Sequence, residues 1–257
     1  MRVELTVLGS GTSMGVPTIA CPCRVCHSTD PHDQRSRPSV LLRYNGHAVV
    51  IDTGPDFRFQ AIRAGMDRLD AVLYTHSHAD HILGLDDIRP FTLPGGKVIP
   101  LYGNGPAIHG VRRVFQYIFD GNYPYGGVPL VRDHVITGPV ELFGLEFEPI
   151  KVIHGRMEVL GFRFGSAAYL TDYNHIPEAS LQQLKGVETL FLDALRHEEH
   201  PTHMTVAQAL EQADKICPRQ AFLTHIAHDL GHEETNAALP KNVSLCYDGM
   251  RLELDVG

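Results

Sequence analysis

At 257 residues the chain is long enough for one large or two small domains and for a substantial buried core. Its 43% hydrophobic and 20% charged residues describe an ordinary globular protein, and no apolar run reaches the length that spans a bilayer. A formal charge of −8 weighs against a protein that grips nucleic-acid backbone with clustered Lys and Arg, although bound divalent ions would add positive charge that this sum omits.

Residues 1–8 alternate like a strand and carry no leader-peptide pattern, which points to the cytoplasm. Gly9-Ser10-Gly11-Thr12-Ser13-Met14-Gly15-Val16-Pro17 resembles a phosphate loop only superficially. No Gly-Lys-Ser/Thr follows, and the glycine spacing misses the dinucleotide fingerprint. It reads as a turn-rich loop that brings backbone close to something. Next come three of the five cysteines, in Cys21-Pro22-Cys23-Arg24-Val25-Cys26. An odd total suits no disulfide framework, and this spacing in a reducing compartment points to metal. Residues 27–38 are a polar loop. Two apolar runs, 39–44 and 47–51, flank the turn Asn45-Gly46 and form a strong hairpin signal.

The second hairpin strand ends in Asp52-Thr53-Gly54, where the acid is either a turn former or a brace for a site loop. A helix fits 57–64 and a strand 71–74. That strand runs into Thr75-His76-Ser77-His78-Ala79-Asp80-His81, three histidines and a carboxylate within six positions. A buried strand ending in such a loop holds its side chains rigidly, as a metal site requires. Imidazole and carboxylate together suit zinc, manganese or iron. A short helix at 82–88, a turn at 94–96, a strand at 98–102 and a helix at 111–119 follow. The segment 109–130 includes a Gly- and Tyr-rich stretch, 120–127, of the kind that makes substrate contacts. Tyr117, Tyr123 and Tyr125 could stack on a base or sugar there.

Strands read at 145–150, 151–154, 160–164, 168–172, 189–193 and 220–225, with helices at 177–185 and 207–216. Thr205 and Gln208 form a capping-box pattern. Strand ends thus deliver Asp52, the histidine loop, His154, Asp172, Asp193 and His225. Helical patterns alternate with these strands, which favours a layered α/β architecture. With no linker and no low-complexity run, residues 1–257 read as a single domain.

Asp52-Thr53-Gly54, the His-x-His-x-Asp-His loop, His154, Asp172 and His225, in this order, resemble the metallo-β-lactamase fold superfamily. The resemblance spans essentially the whole chain and implies a four-layer αββα sandwich with a two-metal site on one edge. It implies one divalent ion (Mn or Zn) held by His76, His78 and His154, a second held by Asp80, His81 and His225, and Asp172 bridging both. Asp52 would stand outside the metal shell and hydrogen-bond within the loop. Cys21, Cys23 and Cys26 need a fourth ligand to close a tetrahedral zinc site, which His228 could supply. With the Gly9–Thr12 loop and Leu223-Thr224-His225-Ile226-Ala227-His228, this knuckle at 21–26 is similar to that of the PhnP-like phosphodiesterases, where it binds one structural zinc.

That narrower resemblance implies hydrolysis of a small phosphodiester, cyclic or nucleotide-like, by a hydroxide bridging two metals and oriented by Asp80. A nucleoside monophosphate-like product and a homodimer are compatible with it. His203 resembles the histidine that protonates the leaving group in PhnP-like enzymes and in tRNase Z, with His197 and His200 as alternatives in the same segment. A tRNase Z-like RNA 3′-processing endonuclease is the rival enzyme, disfavoured by the acidic balance and the lack of a long basic insertion. A non-catalytic metal- or nucleotide-binding module is the rival from another class.

Overall fold

The computed structural model describes residues 1–121 and 126–256. Strands form where β-branched and aromatic residues alternate or run continuously, and two seven-stranded sheets result. The first half contributes β1 (Arg2–Gly9), β2 (Ser39–Tyr44), β3 (His47–Ile51), β4 (Ala71–Leu73), β5 (Ile99–Gly103) and β6 (Val131–Val135). The second half contributes β7 (Val140–Leu142), β8 (Leu145–His154), β9 (Met157–Phe164), β10 (Ala167–Tyr169), β11 (Thr189–Asp193), β12 (Gln220–Thr224) and β13 (Val243–Leu245). The last strand, β14 (Arg251–Asp255), returns to pair with β1 at the edge of the first sheet.

The sheet orders are β14-β1-β2-β3-β4-β5-β6 and β13-β12-β11-β10-β9-β8-β7. Each sheet is antiparallel over part of its width and parallel over the rest, from β3 to β6 in one and from β10 to β13 in the other. The parallel strands are joined by helices: α1 (Phe57–Arg63), α2 (Ala79–Ile82), α3 (Gly105–Val114) and α4 (Gln116–Phe119) in the first half, α5 (Glu178–Gln183), α6 (Val206–Ile216) and α7 (His232–Ala238) in the second.

Alternation sorts the side chains into layers. Val3, Leu5, Val7, Leu42 and Ile51 face Phe147, Phe162, Tyr169, Phe191 and Phe222 in one core between the sheets. Leu41, Val50 and Val72, on the opposite face, pack against Phe57 and Ala61 of α1 and Val111 of α3. Leu190, Leu192 and Leu223 likewise cover Ala209 and Ala213 of α6. This is the αββα sandwich that the resemblance implies.

The Asn45-Gly46 turn joins β2 to β3 with Tyr44 opposite His47, both turn residues having positive φ (48° and 73°). Both halves of the Thr205–Gln208 capping box are present. Some expected elements differ. Residues 145–154 form one strand rather than two, with Pro149 carried in it opposite Phe162. The helix expected at 111–119 begins at Gly105, capped by the Asn104 side chain, and breaks at Phe115. The helix expected at 82–88 is replaced by α2 and a 3-10 turn at Leu85–Phe91 that contains Pro90. Tyr123 and Tyr125 lie outside the described residues. No helix among the described residues is long and apolar enough to cross a membrane.

Candidate metal centre

In parallel sheets the backbone leaves the core at the carboxyl ends of the strands, so ligand sites gather there. Asp52 follows β3, the histidine loop follows β4, His154 ends β8, Asp172 lies just past β10, Asp193 ends β11 and His225 follows β12. Two glycines let the loops meet. A Cβ on Gly54 would collide with the Asp80 carbonyl, and one on Gly84 with the Gly54 carbonyl. Three of the site residues, Asp52, Asp172 and His225, hold positive φ (63°, 56° and 60°), a strained conformation that persists where surrounding contacts over-determine it.

Two ligand sets result. His76, His78, His154 and Asp172 bring one ligand atom each within 4.8 Å of one another, as do Asp80, His81, Asp172 and His225, so Asp172 belongs to both. The buried Nε2 atoms of His76, His81 and His225 have no hydrogen-bond partner. They lie close to carboxylate oxygens, His81 Nε2 at 3.0 Å and His225 Nε2 at 3.2 Å from Asp172, without hydrogen-bond geometry. Buried nitrogen lone pairs converging on carboxylates without bonding them are poorly compensated unless a cation sits between. The donor set, mixed imidazole and carboxylate, fits divalent metal.

The far sides of the rings explain this aim. Asp52, fully buried, accepts from the Thr75 N–H (2.9 Å), the Thr75 hydroxyl (2.8 Å) and His81 Nδ1 (2.7 Å). His76 Nδ1 lies 3.0 Å from the same Thr75 hydroxyl, and His154 Nδ1 donates to the Thr202 carbonyl at 2.9 Å. With their protons spent on Nδ1, these rings present Nε2 lone pairs to the centre.

The carboxylates make the centre one that favours positive charge. Burial works against protonation of His81 and His225, yet Asp172 and Asp80 push His81 well above its ordinary pKa and His225 up to about 10. Burial works to raise the carboxyls of Asp80 and Asp172, but His81 and His225 hold both far below the usual range. Burial, with His81 nearby, pushes His76 well down. Burial also raises Asp52, so its charge depends on His81 and Thr75.

His203 stands beside the cluster. Its ring stacks on His225 (centroids 4.6 Å apart) and meets His154 edge-on at 4.8 Å. Its Nδ1 bonds Asp193 Oδ2 at 2.9 Å, and a third convergent group is Asp193, His203 and His225. His200 instead has its Nδ1 near the Thr202 N–H and hydroxyl (3.4 and 3.2 Å), and His197 is exposed. Asp193 was visible in the sequence as a strand-terminal acid, but nothing in the chain order ties it to His203.

The cysteine knuckle assembles separately. Cys21, Cys23, Cys26 and His228 bring their ligand atoms within 4.8 Å of one another, with His228 Nδ1 3.3 Å from Cys21 Sγ and 3.2 Å from Cys23 Sγ. His228 and the Cys26 N–H pull the Cys23 thiol down to about 6, while burial pushes Cys26 up to about 11. Three cysteines and one histidine match a closed structural zinc set. The Tyr117 hydroxyl donates to Asp86 at 2.6 Å, and the ring lines a cavity of about 270 Å³ with Val98, Ile118 and Val131.

Comparison with known proteins agrees with this geometry. The β-lactamase superfamily domain matches residues 47–226. A solved diphosphatase of the PhnP family is 52% identical, with a TM-score of 0.93 over 99% of this chain and 98% of that one. The octanoyltransferase of Porphyromonas gingivalis is 39% identical over 97% of this chain but only 51% of that protein. A ribonuclease Z of Bradyrhizobium diazoefficiens is 40% identical over 54% of this chain and 47% of its own length. The chain thus spans about half the length, or less, of these two curated relatives.

Proposed function

Because the chain belongs to the β-lactamase superfamily and, within it, to the PhnP family, we propose that it is a metal-dependent hydrolase of a small disubstituted phosphate. The observation that carries this reading is the pair of ligand sets sharing Asp172, with the His203–Asp193 pair alongside. His76, His78 and His154 would hold one ion, Asp80, His81 and His225 the other, and Asp172 both. Divalent ions held there supply Lewis acidity toward a phosphoryl oxygen and an attacking water.

The chain's own residues do the rest. Asp52 and Thr75 fix the His81 and His76 rings. Asp80 orients the attacking water. His203 is held by Asp193 through Nδ1, which leaves Nε2 to carry the proton delivered to the departing oxygen. Without that proton the leaving group departs as an alkoxide, at much higher cost. Cys21, Cys23, Cys26 and His228 take one zinc with a structural role.

The PhnP-family relative is a diphosphatase, so a substituted diphosphate joins cyclic and nucleotide-like phosphodiesters in the proposed substrate class, since its P–O–P bond breaks by the same attack at phosphorus. The test is a substrate panel with manganese and with zinc: a nitrophenyl phosphodiester, a phosphomonoester, a substituted diphosphate, a precursor tRNA, a thioester and a lactam. Turnover of the diester or diphosphate is expected. Turnover of the tRNA, thioester or lactam alone would replace this reading, and no metal-dependent turnover would leave a binding module. Nucleoside monophosphate binding tighter than ribose phosphate would support a nucleotide-like substrate.

A further inference from the structure

Asp33 and Arg35 lie in the polar stretch that follows the knuckle, and both are buried, the Arg35 side chain completely (0% exposed). Arg35 Nη2 donates to Asp33 Oδ1 at 3.1 Å and Nη1 to the Ala227 carbonyl at 3.2 Å, while Nε has no partner. Asp33 Oδ1 also accepts from the His232 N–H at 2.8 Å. A buried ion pair with an unsatisfied donor is a poor way to gain stability, because desolvating the two charges offsets their attraction. What the pair grips is more informative.

The segment 225–232 carries His225 at its start and His228 three positions later, with only Ile226 and Ala227 between the two clusters. Backbone bonds hold this spacer on several sides: Ile226 N–H to the Ser10 carbonyl (2.9 Å), Thr12 N–H to the Ile226 carbonyl (3.0 Å) and Ala227 N–H to the Leu195 carbonyl (2.9 Å). Arg35 adds a grip on the Ala227 carbonyl, the peptide that leads directly into His228. Asp33 grips the far end at His232. Arg35 is itself bound to the loop before the cysteines, through paired backbone bonds with Val16 (2.7 and 2.8 Å). The strained φ of His225 needs such over-determination.

We infer that the buried Asp33–Arg35 pair is a positioning device that fixes the turn from which His225 enters the active-site cluster and His228 enters the cysteine cluster, and so couples the loading of one with the other. This rests on the proposed reading that both clusters take metal.

The test removes both charges while keeping the hydrogen bond to His232, in the double variant Asp33→Asn with Arg35→Met. The metal-free double variant should melt close to the wild type, because replacing both members of a buried pair costs little. Its zinc dissociation constants, read by chelator competition, should rise about 10-fold or more at both clusters. Cobalt substitution separates the clusters, since only the cysteine cluster gives thiolate charge-transfer absorption. In wild-type protein, filling the cysteine cluster first should tighten the other. A double variant that folds and loads both clusters with wild-type constants overturns the inference, as does independent loading in the wild type. Should the double variant not fold, Arg35→Lys keeps a charge beside Asp33 but loses the fork that reaches Ala227, and wild-type constants there also overturn it. A wild-type protein that takes up no zinc at either cluster overturns the functional reading instead.

Discussion

Replacing Asp52 by Asn changes one atom and tests how the centre is built. The carboxylate accepts from three donors, the Thr75 N–H, the Thr75 hydroxyl and His81 Nδ1–H. An amide can still accept from the Thr75 N–H through its oxygen, but its NH2 then faces the Thr75 hydroxyl and His81 Nδ1–H and can accept from neither, so both must rearrange. The cheapest relief is for His81 to move its proton to Nε2, the atom that lies 3.3 Å from Asp80 and 3.0 Å from Asp172. That proton occupies the lone pair a metal needs. Loss of a hydrogen bond to a charged group costs about 1.5–3 kcal/mol. Loss of a partner behind a ligating histidine lowers metal affinity about 10- to 100-fold, or about 1.4–2.8 kcal/mol. The two estimates overlap. Zinc affinity measured by chelator competition should therefore fall by that factor at the Asp80, His81 and His225 set, and less at the His76, His78 and His154 set. Affinities within twofold of wild type, or equal losses at both sets, would refute the tautomer argument.

Three further outcomes follow from other parts of the structure. His203→Ala should slow alkyl phosphodiesters by about 10²- to 10⁴-fold in kcat but nitrophenyl esters far less, and equal losses in steady-state assays would remove the proton-donor role. Cys21→Ser should cost one zinc per chain by elemental analysis and lower the melting temperature, whereas unchanged zinc content would exclude the knuckle. Burial, with His32 and Arg35 nearby, pulls His232 down to about 4, so the unfolded chain binds this proton first as pH falls. The stability that His232 contributes is complete above about 6.5 and is lost between about 6.5 and about 4. Denaturant titrations across that window should show a shallower pH slope in His232→Gln than in wild type, and identical slopes would contradict the assignment.

The legible parts of the sequence were those where local chemistry and global role coincide. Asn45-Gly46 permits the one turn that suits a tight hairpin. Thr205 and Gln208 satisfy each other's backbone. The histidine loop follows an apolar strand too short to be anything but buried. Other parts of the fold carry weaker local signals. β6 and β14 are sheet edges, so their alternation is diluted by exposed residues such as Arg132, Val135, Arg251 and Glu253. The start of α3 is encoded in Asn104-Gly105-Pro106, an N-cap followed by a proline in the first turn, while the clearest apolar spacing begins only at Val111. The partnership of His203 with Asp193 closes across an irregular ten-residue stretch, and the burial of Arg35 depends on a segment 192 residues away, and no periodicity reports either. Positive φ at Asp52, Asp172 and His225 is equally silent, because even Asp and His, which tolerate it better than most residues, adopt it too seldom to advertise it.

The division of labour between the two sheets has a thermodynamic consequence. His76, His78, Asp80 and His81 leave the first sheet, while His154, Asp172 and His225 leave the second. Neither sheet carries a complete copy of either ligand set that shares Asp172, and both of those sets draw on both sheets. Ions bound between them would act as rivets across the sandwich: they bind only when the halves are docked in register, and by mass action each adds RT ln(1 + [M]/Kd) to the work of prying the halves apart. The melting temperature should then climb with free metal concentration, and the docked state would be populated in proportion to the metal available to it.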